Sequence, residues 1–172
     1  MPLSVRQPEN TSFLQPTKFA LTFRRIPNIV YFLQSVNLPG VSTGEAMVPT
    51  PFVDTYRAGD KIVYDTLNLT FVVDEDLRSW FEIHNWIRGL TFPKNFDEYR
   101  RLKKENSDFG GVYSDATLSI TTNANAPNIR LRFADCFPTS LSSIQFNASD
   151  SADITITADA TIRFQYYEVE RA

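Results

Sequence analysis

ADITITADATIRFQYYEVE, Ala152 to Glu170, carries the most regular pattern in the chain. From Ile154 to Val169 it holds no glycine and no proline, and it alternates almost strictly. Ile154, Ile156, Ala158, Ala160, Ile162, Phe164 and Tyr166 fall on one side. Thr155, Thr157, Asp159, Thr161, Arg163, Gln165 and Tyr167 fall on the other. A period of two, rich in β-branched residues, predicts a half-buried strand. Taken as one strand, 154–169 spans roughly 50 Å at ~3.3 Å per residue, whereas a usual strand has about 5–6 residues.

Working outward, the same alternation recurs. Phe19, Leu21 and Phe23 share a face in TKFALTFRRI, with Lys18, Thr22 and Arg24 opposite. Pro27 and Asn28 signal a turn, so Ile29 to Asn37 is expected as the second strand of a hairpin. Asp60 to Val73 predicts another long strand, with Val63, Leu67, Leu69, Phe71 and Val73 on one face and Thr66 and Asn68 on the other. Val112–Thr122 and Asn128–Cys136 read as two strands joined by a turn-rich loop. Residues 137–141 read as a break and 142–147 as a short strand.

One helix is expected, at about residues 75–88. Asp74 is placed to cap it, Glu75 and Asp76 suit its positive end, and Gly89 is placed to stop it. Leu77, Trp80, Phe81, His84 and Ile87 recur at helical spacing and predict its buried stripe. Residues 91–111 read as a charged connector with at most a helical turn. Residues 1–16, with three prolines, read as an extended arm, and 17–172 as a single domain.

Residues 38–59 are the exception. They hold three prolines and three glycines with no sustained period, and predict a long loop without secondary structure. Long loops of that kind are usually functional. Val41, Met47, Val48, Phe52 and Val53 argue against simple solvation and point to packing on another surface.

The composition excludes several classes of function. Of the 172 residues 42% are hydrophobic, and the net charge is −3, so no global charge draws the chain to nucleic acid or anionic lipid. No apolar run approaches the roughly 18 residues of a membrane span, and Met1 to Phe19 shows no apolar signal-peptide segment. With one cysteine, Cys136, no disulfide forms within the chain. One histidine and one cysteine are too few for a zinc site, and no phosphate loop or hydrolase elbow occurs. Neither a catalytic residue, a metal nor a cofactor is expected. Arg100, Arg101, Lys103 and Lys104 form a basic run whose field nearby acids largely cancel.

One helix among many antiparallel strands predicts a β-sandwich or barrel. Long strands leave edges that must be paired, covered or blunted, and pairing between copies favours an assembly protein.

The order of elements resembles the tail tube proteins of contractile-tailed bacteriophages. The resemblance rests on TKFALTFRRIPNIVYFLQSVNLPG with its Leu38-Pro39-Gly40 turn, then Val48-Pro49. It continues through LNLTFVVDEDLRSWFEIHNWIRGL, where a strand runs into a helix with Trp86 near its end, and through FADCFPTSLSSIQFNASDSADITITADATIRFQYYE. It covers about residues 17–169, with no recognisable counterpart for the N-terminal arm or the 91–111 connector.

The resemblance implies hexameric rings stacked into a hollow tube inside a contractile sheath, conducting DNA during ejection. It implies a place in the virion tail after assembly in the host cytoplasm, with sheath, baseplate and tail-terminator proteins as partners and no membrane. On this expectation Val41, Glu45, Met47, Val48, Phe52 and Tyr56 form a contact loop between subunits or rings. Thr155, Thr157, Asp159, Thr161, Thr66 and Asn68 face the lumen, and DNA passes without specific binding. Two further readings stay open: a tube initiator or baseplate tube protein of the same fold, and a β-sandwich carbohydrate-binding module.

Overall fold

The computed structural model describes residues 12–91, 95–105, 111–149 and 154–171. The predicted arm therefore lies largely outside the described residues, and 12–16 are exposed without regular structure. The elements in chain order are β1 (Phe19–Phe23), α1 (Pro27–Phe32), β2 (Leu33–Val36), β3 (Val41–Val48), β4 (Thr55–Tyr64) and β5 (Leu67–Val72). They continue as α2 (Arg78–Thr91), α3 (Asp97–Glu105), β6 (Ser114–Thr121), β7 (Pro127–Leu141), β8 (Thr157–Arg163) and β9 (Tyr166–Arg171).

The body is mainly antiparallel β. Two sheets share β7: β1-β6-β7-β9 on one side and β7-β8-β5-β2 on the other. The strands do not close into a barrel. β7 passes from the first sheet to the second at a bulge, where Ser114 pairs with Cys136 but Ala116 pairs with Phe133. Asp135 holds the left-handed conformation there, with φ 53°, and its amide donates to Asp115 Oδ1 at 3.4 Å. A bulge of this kind bends a strand and sharpens its twist. The opening stretch bends at the same level. β8 pairs with the far half of β7 and β9 with the near half, and the Gln165 amide donates to the Ala134 carbonyl at 3.0 Å between them.

The single strand expected over 154–169 is thus two strands hinged at Phe164–Gln165. Its apolar row survives as Ala158, Ala160, Ile162 and Phe164, all buried, while Ile154 and Ile156 are exposed. Past the hinge the phase inverts: Tyr166 is exposed and Tyr167 packs against Phe133 and Phe164.

Registered rows fill the core. In one sheet Leu21 faces Leu118, which faces Leu131, and Phe23 lies by Ala116 and Phe133. In the other Phe71, Leu69 and Leu67 pair with Ala158, Ala160 and Ile162. Small residues on β8 opposite large ones on β5 let the layers interdigitate.

Helix α2 closes the open side of β7. Trp86 is buried and its Nε1 donates to the Val112 carbonyl at 3.0 Å, while Trp80 Nε1 donates to the Ser142 carbonyl at 3.2 Å. Arg25 lies over the Trp86 ring at 5.1 Å. The helix begins three residues later than expected, because Asp74 to Leu77 form a turn and Leu77 takes φ 56°. The Asp74 carboxylate still caps the helix, accepting from the amides of Arg78 and Ser79 at 3.1 Å and from Ser79 Oγ at 2.6 Å.

Its buried stripe is also rotated from the expected one, to Ser79, Ile83, Trp86 and Gly89. Leu77, Trp80 and Ile87 are half-buried, and Phe81 is 45% exposed, so its expected core position is not met. Phe81 and His84 instead flank Trp80, with His84 stacked on it at 5.0 Å. Gly89 does not end the helix. It lies inside, where a Cβ would come within 3.0 Å of the Leu102 methyls of α3.

Other expectations change with pairing. β1 and β2 are not a hairpin, for β1 pairs β6 and β2 pairs β5, with α1 where a strand was expected. Pro27 at the first turn suits a helix start. The connector holds α3, whose first turn carries Asp97 and Glu98 and whose last carries Lys103 and Lys104, matching the helix dipole. Residues 137–141 continue β7 because Pro138 lies beside a register shift where no amide is needed. Residues 142–147 form no strand.

Candidate assembly surfaces

The expected loop 38–59 is a strand hairpin. β3 and β4 pair antiparallel from Val41↔Tyr64 to Val48↔Thr55 and form a sheet of their own. Nearly every residue of it is exposed, including all eight of β3. An isolated two-stranded hairpin is marginal in water, so the local chemistry matters. At the tip Thr50 Oγ1 donates to the Val53 carbonyl and accepts from its amide, and Thr55 Oγ1 reaches the Val48 carbonyl at 3.1 Å. Midway, at a register shift, the strands nearly touch. A Cβ on Gly59 would lie 2.6 Å from the Gly44 carbonyl oxygen, so only glycine fits.

Alternation along the pairs puts Val41, Glu45 and Met47 on one face with Tyr56, joined by Ile62. Val48 lies on the opposite face beside Thr55, and Phe52 stands at the tip, 99% exposed. Val53, Ile62 and Val63 add exposed apolar surface. Val53 belongs to the expected loop, whereas Ile62 and Val63 belong to the expected strand over 60–73. That long strand over 60–73 breaks at Asp65–Thr66. Its first half belongs to the hairpin, its second half to the core sheet.

The second surface is the outer face of β5 and β8. Asn68 pairs with Thr161 and Thr70 with Asp159, whose Oδ1 accepts from the Thr70 hydroxyl at 2.7 Å. Thr66 donates to Asn68 Oδ1 at 3.3 Å, and Thr157 pairs with Val72. The structure therefore brings Thr66, Asn68, Thr157, Asp159 and Thr161 onto one polar face, and leaves Thr155 beyond the end of β8. Charge is sparse there: Asp159, and Arg163, which donates to the Tyr64 carbonyl at 3.4 Å. Thr70 belongs to the same face, two residues on from Asn68, though it is not among the expected lumen residues.

The outer face of the other sheet differs. A cleft of about 640 Å³ there is lined by Arg24, Arg130, Arg132, Asp115 and Glu168, among others. Arg132 pairs with Glu170 at 3.3 Å.

Cys136 is buried, and desolvation pushes its thiol up to about 12, with Asp115 adding to the rise. A protonated thiol is a small apolar side chain.

Comparison with known proteins bears on these surfaces. The sequence matches the phage tail tube protein family over residues 6–170. It is 28% identical, over 142 residues, to the tail tube terminator protein of Enterobacteria phage T4, covering 80% of this chain and 76% of that one. Two solved structures of the PVC extracellular contractile injection system are similar. One, its sheath/tube terminator in the extended state, has a TM-score of 0.64 at 16% identity, covering 94% of this chain and 99% of that one. The other, its sheath-tube complex in the extended state, has a TM-score of 0.63 at 16% identity, covering 98% and 95%. The cap of the anti-feeding prophage, its tube terminating cap, matches with a TM-score of 0.62 at 13% identity, covering both chains fully. At these identities the structural likenesses establish the fold.

Proposed function

We propose a ring at the end of a contractile phage tail tube as the working form of this chain, which belongs to the phage tail tube protein family. The observation that carries the proposal is the hairpin β3–β4: an apolar surface that none of the other described residues covers. Burying apolar surface is the main favourable term in association, so a projecting hairpin of this kind is an assembly element. The contact residues are Val41, Met47, Val48, Phe52 and Tyr56, with Glu45 beside them.

The likeness to the T4 tail tube terminator supports a position at the tube end. In this reading six copies, the number the family resemblance implies, close around a bore. The tube lies on one side, and sheath and baseplate proteins complete the tail. The virion tail, assembled in the host cytoplasm, is the setting. The chain works by shape, with no chemical step. The outer face of β5 and β8 lines the bore. Each phosphate met by lysine or arginine adds salt-sensitive affinity, and this face carries only Arg163, already engaged with a carbonyl. DNA then slides past threonine and asparagine without being held.

A second reading, a subunit of the tube shaft, is favoured by the family match itself. Electron microscopy of the purified chain separates the two. Single rings that bind one end of preformed tubes support the terminator; self-stacking into long tubes supports the shaft subunit; monomers at every concentration count against both.

A further inference from the structure

The basic run of Arg100, Arg101, Lys103 and Lys104 lies on α3, and folding separates it from acids that offset it in the sequence. Glu98 turns toward α2, where its carboxylate accepts from Arg88 at 2.5 Å. Leu102 is buried and packed on Gly89. Its carbonyl accepts from Arg25 at 3.5 Å, and the same guanidinium donates to the Gly111 and Val112 carbonyls at 3.2 Å. At the start of the helix Asn95 Oδ1 accepts from the Asp97 amide at 3.2 Å. One side of α3 is thus tied to the body.

The other side faces solvent. Phe96, Arg100, Lys103 and Lys104 follow the spacing i, i+4, i+7, i+8, which puts them on one stripe. All four are exposed, Phe96 at 65%. Asp97 borders the stripe and meets Arg100 at 3.7 Å. Among the described residues Lys103 and Lys104 make no ion pair. A chain of net charge −3 therefore carries one anchored helix whose outward stripe is basic, with an aromatic ring at one end.

We infer that this stripe docks an acidic segment of a different tail protein, its carboxylates meeting Arg100, Lys103 and Lys104 and an apolar side chain lying on Phe96. Complementary charge of this kind acts chiefly on encounter rate and on the choice of partner. A second copy is a poorer match, because its acidic groupings are answered within the chain. Glu168 and Glu170 on β9 stand opposite Arg132 and Arg130 of β7. Asp74 caps α2, and Asp76 pairs with Arg78 at 2.9 Å. DNA is a poorer match as well. Phosphate affinity grows with the number of cations that meet it; this stripe has three, with the Asp97 carboxylate beside them. Phe96 adds apolar surface that a phosphate backbone does not use. The inference stands apart from the choice between terminal ring and shaft.

The test titrates three labelled probes with the full chain and follows fluorescence anisotropy at low and high salt. The probes are poly-L-glutamate, a random glutamate–tyrosine copolymer and a DNA duplex. The copolymer is expected to bind tightest and DNA weakest, with affinity falling as salt rises. Lys103→Glu with Lys104→Glu should weaken copolymer binding about tenfold, through two exposed pairs lost and replaced by like charges. Should glutamate fray the last turn of α3, Lys103→Gln with Lys104→Gln should still weaken it about threefold. Phe96→Ala should remove the advantage of the copolymer over poly-L-glutamate. Arg24→Glu with Arg130→Glu, an equal change of charge on the outer face of β1-β6-β7-β9, should leave binding as it was. Equal losses from the two charge reversals would trace binding to overall charge and overturn the inference. Tighter binding of DNA, or oligomers of the chain that come apart only in the lysine variants, would overturn it in favour of nucleic acid or a second copy. Rings in micrographs with no probe bound overturn it and leave the ring proposal standing.

Discussion

The body and the hairpin of this chain obey opposite rules. In the body the central strands alternate because one face is buried: β5 reads buried-exposed along its first residues, and β8 answers it residue for residue across the ladder. In the hairpin the pairing is as regular on either side of its shift, yet β3 is exposed at every position. Backbone hydrogen bonding makes a strand; burial makes a pattern. On the assembly reading proposed above, the hairpin is buried only against another surface, and so carries the first without the second.

Four perturbations test that contrast. The largest effect belongs to Trp86→Ala, which removes the buried indole and its bond to Val112. It should cost about 3–5 kcal/mol, read as a lower midpoint in chemical denaturation; a near-normal midpoint would show that α2 does not close the core. Asp74→Ala comes next, at about 0.5–2 kcal/mol. Burial opposes ionisation of Asp74, but the Ser79 hydroxyl and the amides of Ser79 and Arg78 outweigh it and hold the carboxyl below its ordinary value. The stabilisation is therefore full above about pH 4 and fades as pH falls through the lower folded value. Wild type and variant should converge in stability on acidification; a gap that persists at low pH would rule out the carboxylate as its source.

The smaller effects fall on the hairpin. Gly59→Ala forces a Cβ against the Gly44 carbonyl. It should raise amide exchange across β3 and β4 while leaving that of β5 to β8 as it was. Exchange rising throughout would mean the hairpin supports the body. Smallest for folding is Met47→Asp with Val48→Asp, where the expected change in stability is within about 0.5 kcal/mol, as for exposed sites. The proposed assembly should nevertheless be lost, the variant eluting as a monomer in gel filtration where the wild type elutes as an oligomer.

How much of this was legible in the sequence follows from the same contrast. The core rows of β5 and β8 were readable because threonine and apolar residues alternate, and the tail tube family resemblance was readable from the order of elements. The hinge at Phe164–Gln165 was not: it is forced by the bulge at Asp135, thirty residues away in sequence, and nothing local marks it. α2 was legible as a helix but rotated, because its buried stripe contains Ser79 and Gly89, while the more hydrophobic Phe81 remains outside. The hairpin was hidden by its own exposure, although its apolar content already argued for a surface that meets another.

The central claim, that the hairpin joins copies of this chain, is met most directly by electron microscopy of the purified protein beside its Met47→Asp, Val48→Asp variant. Closed rings from the wild type and folded monomers from the variant are the predicted result. Monomers from both, or the same assemblies from both, would contradict it.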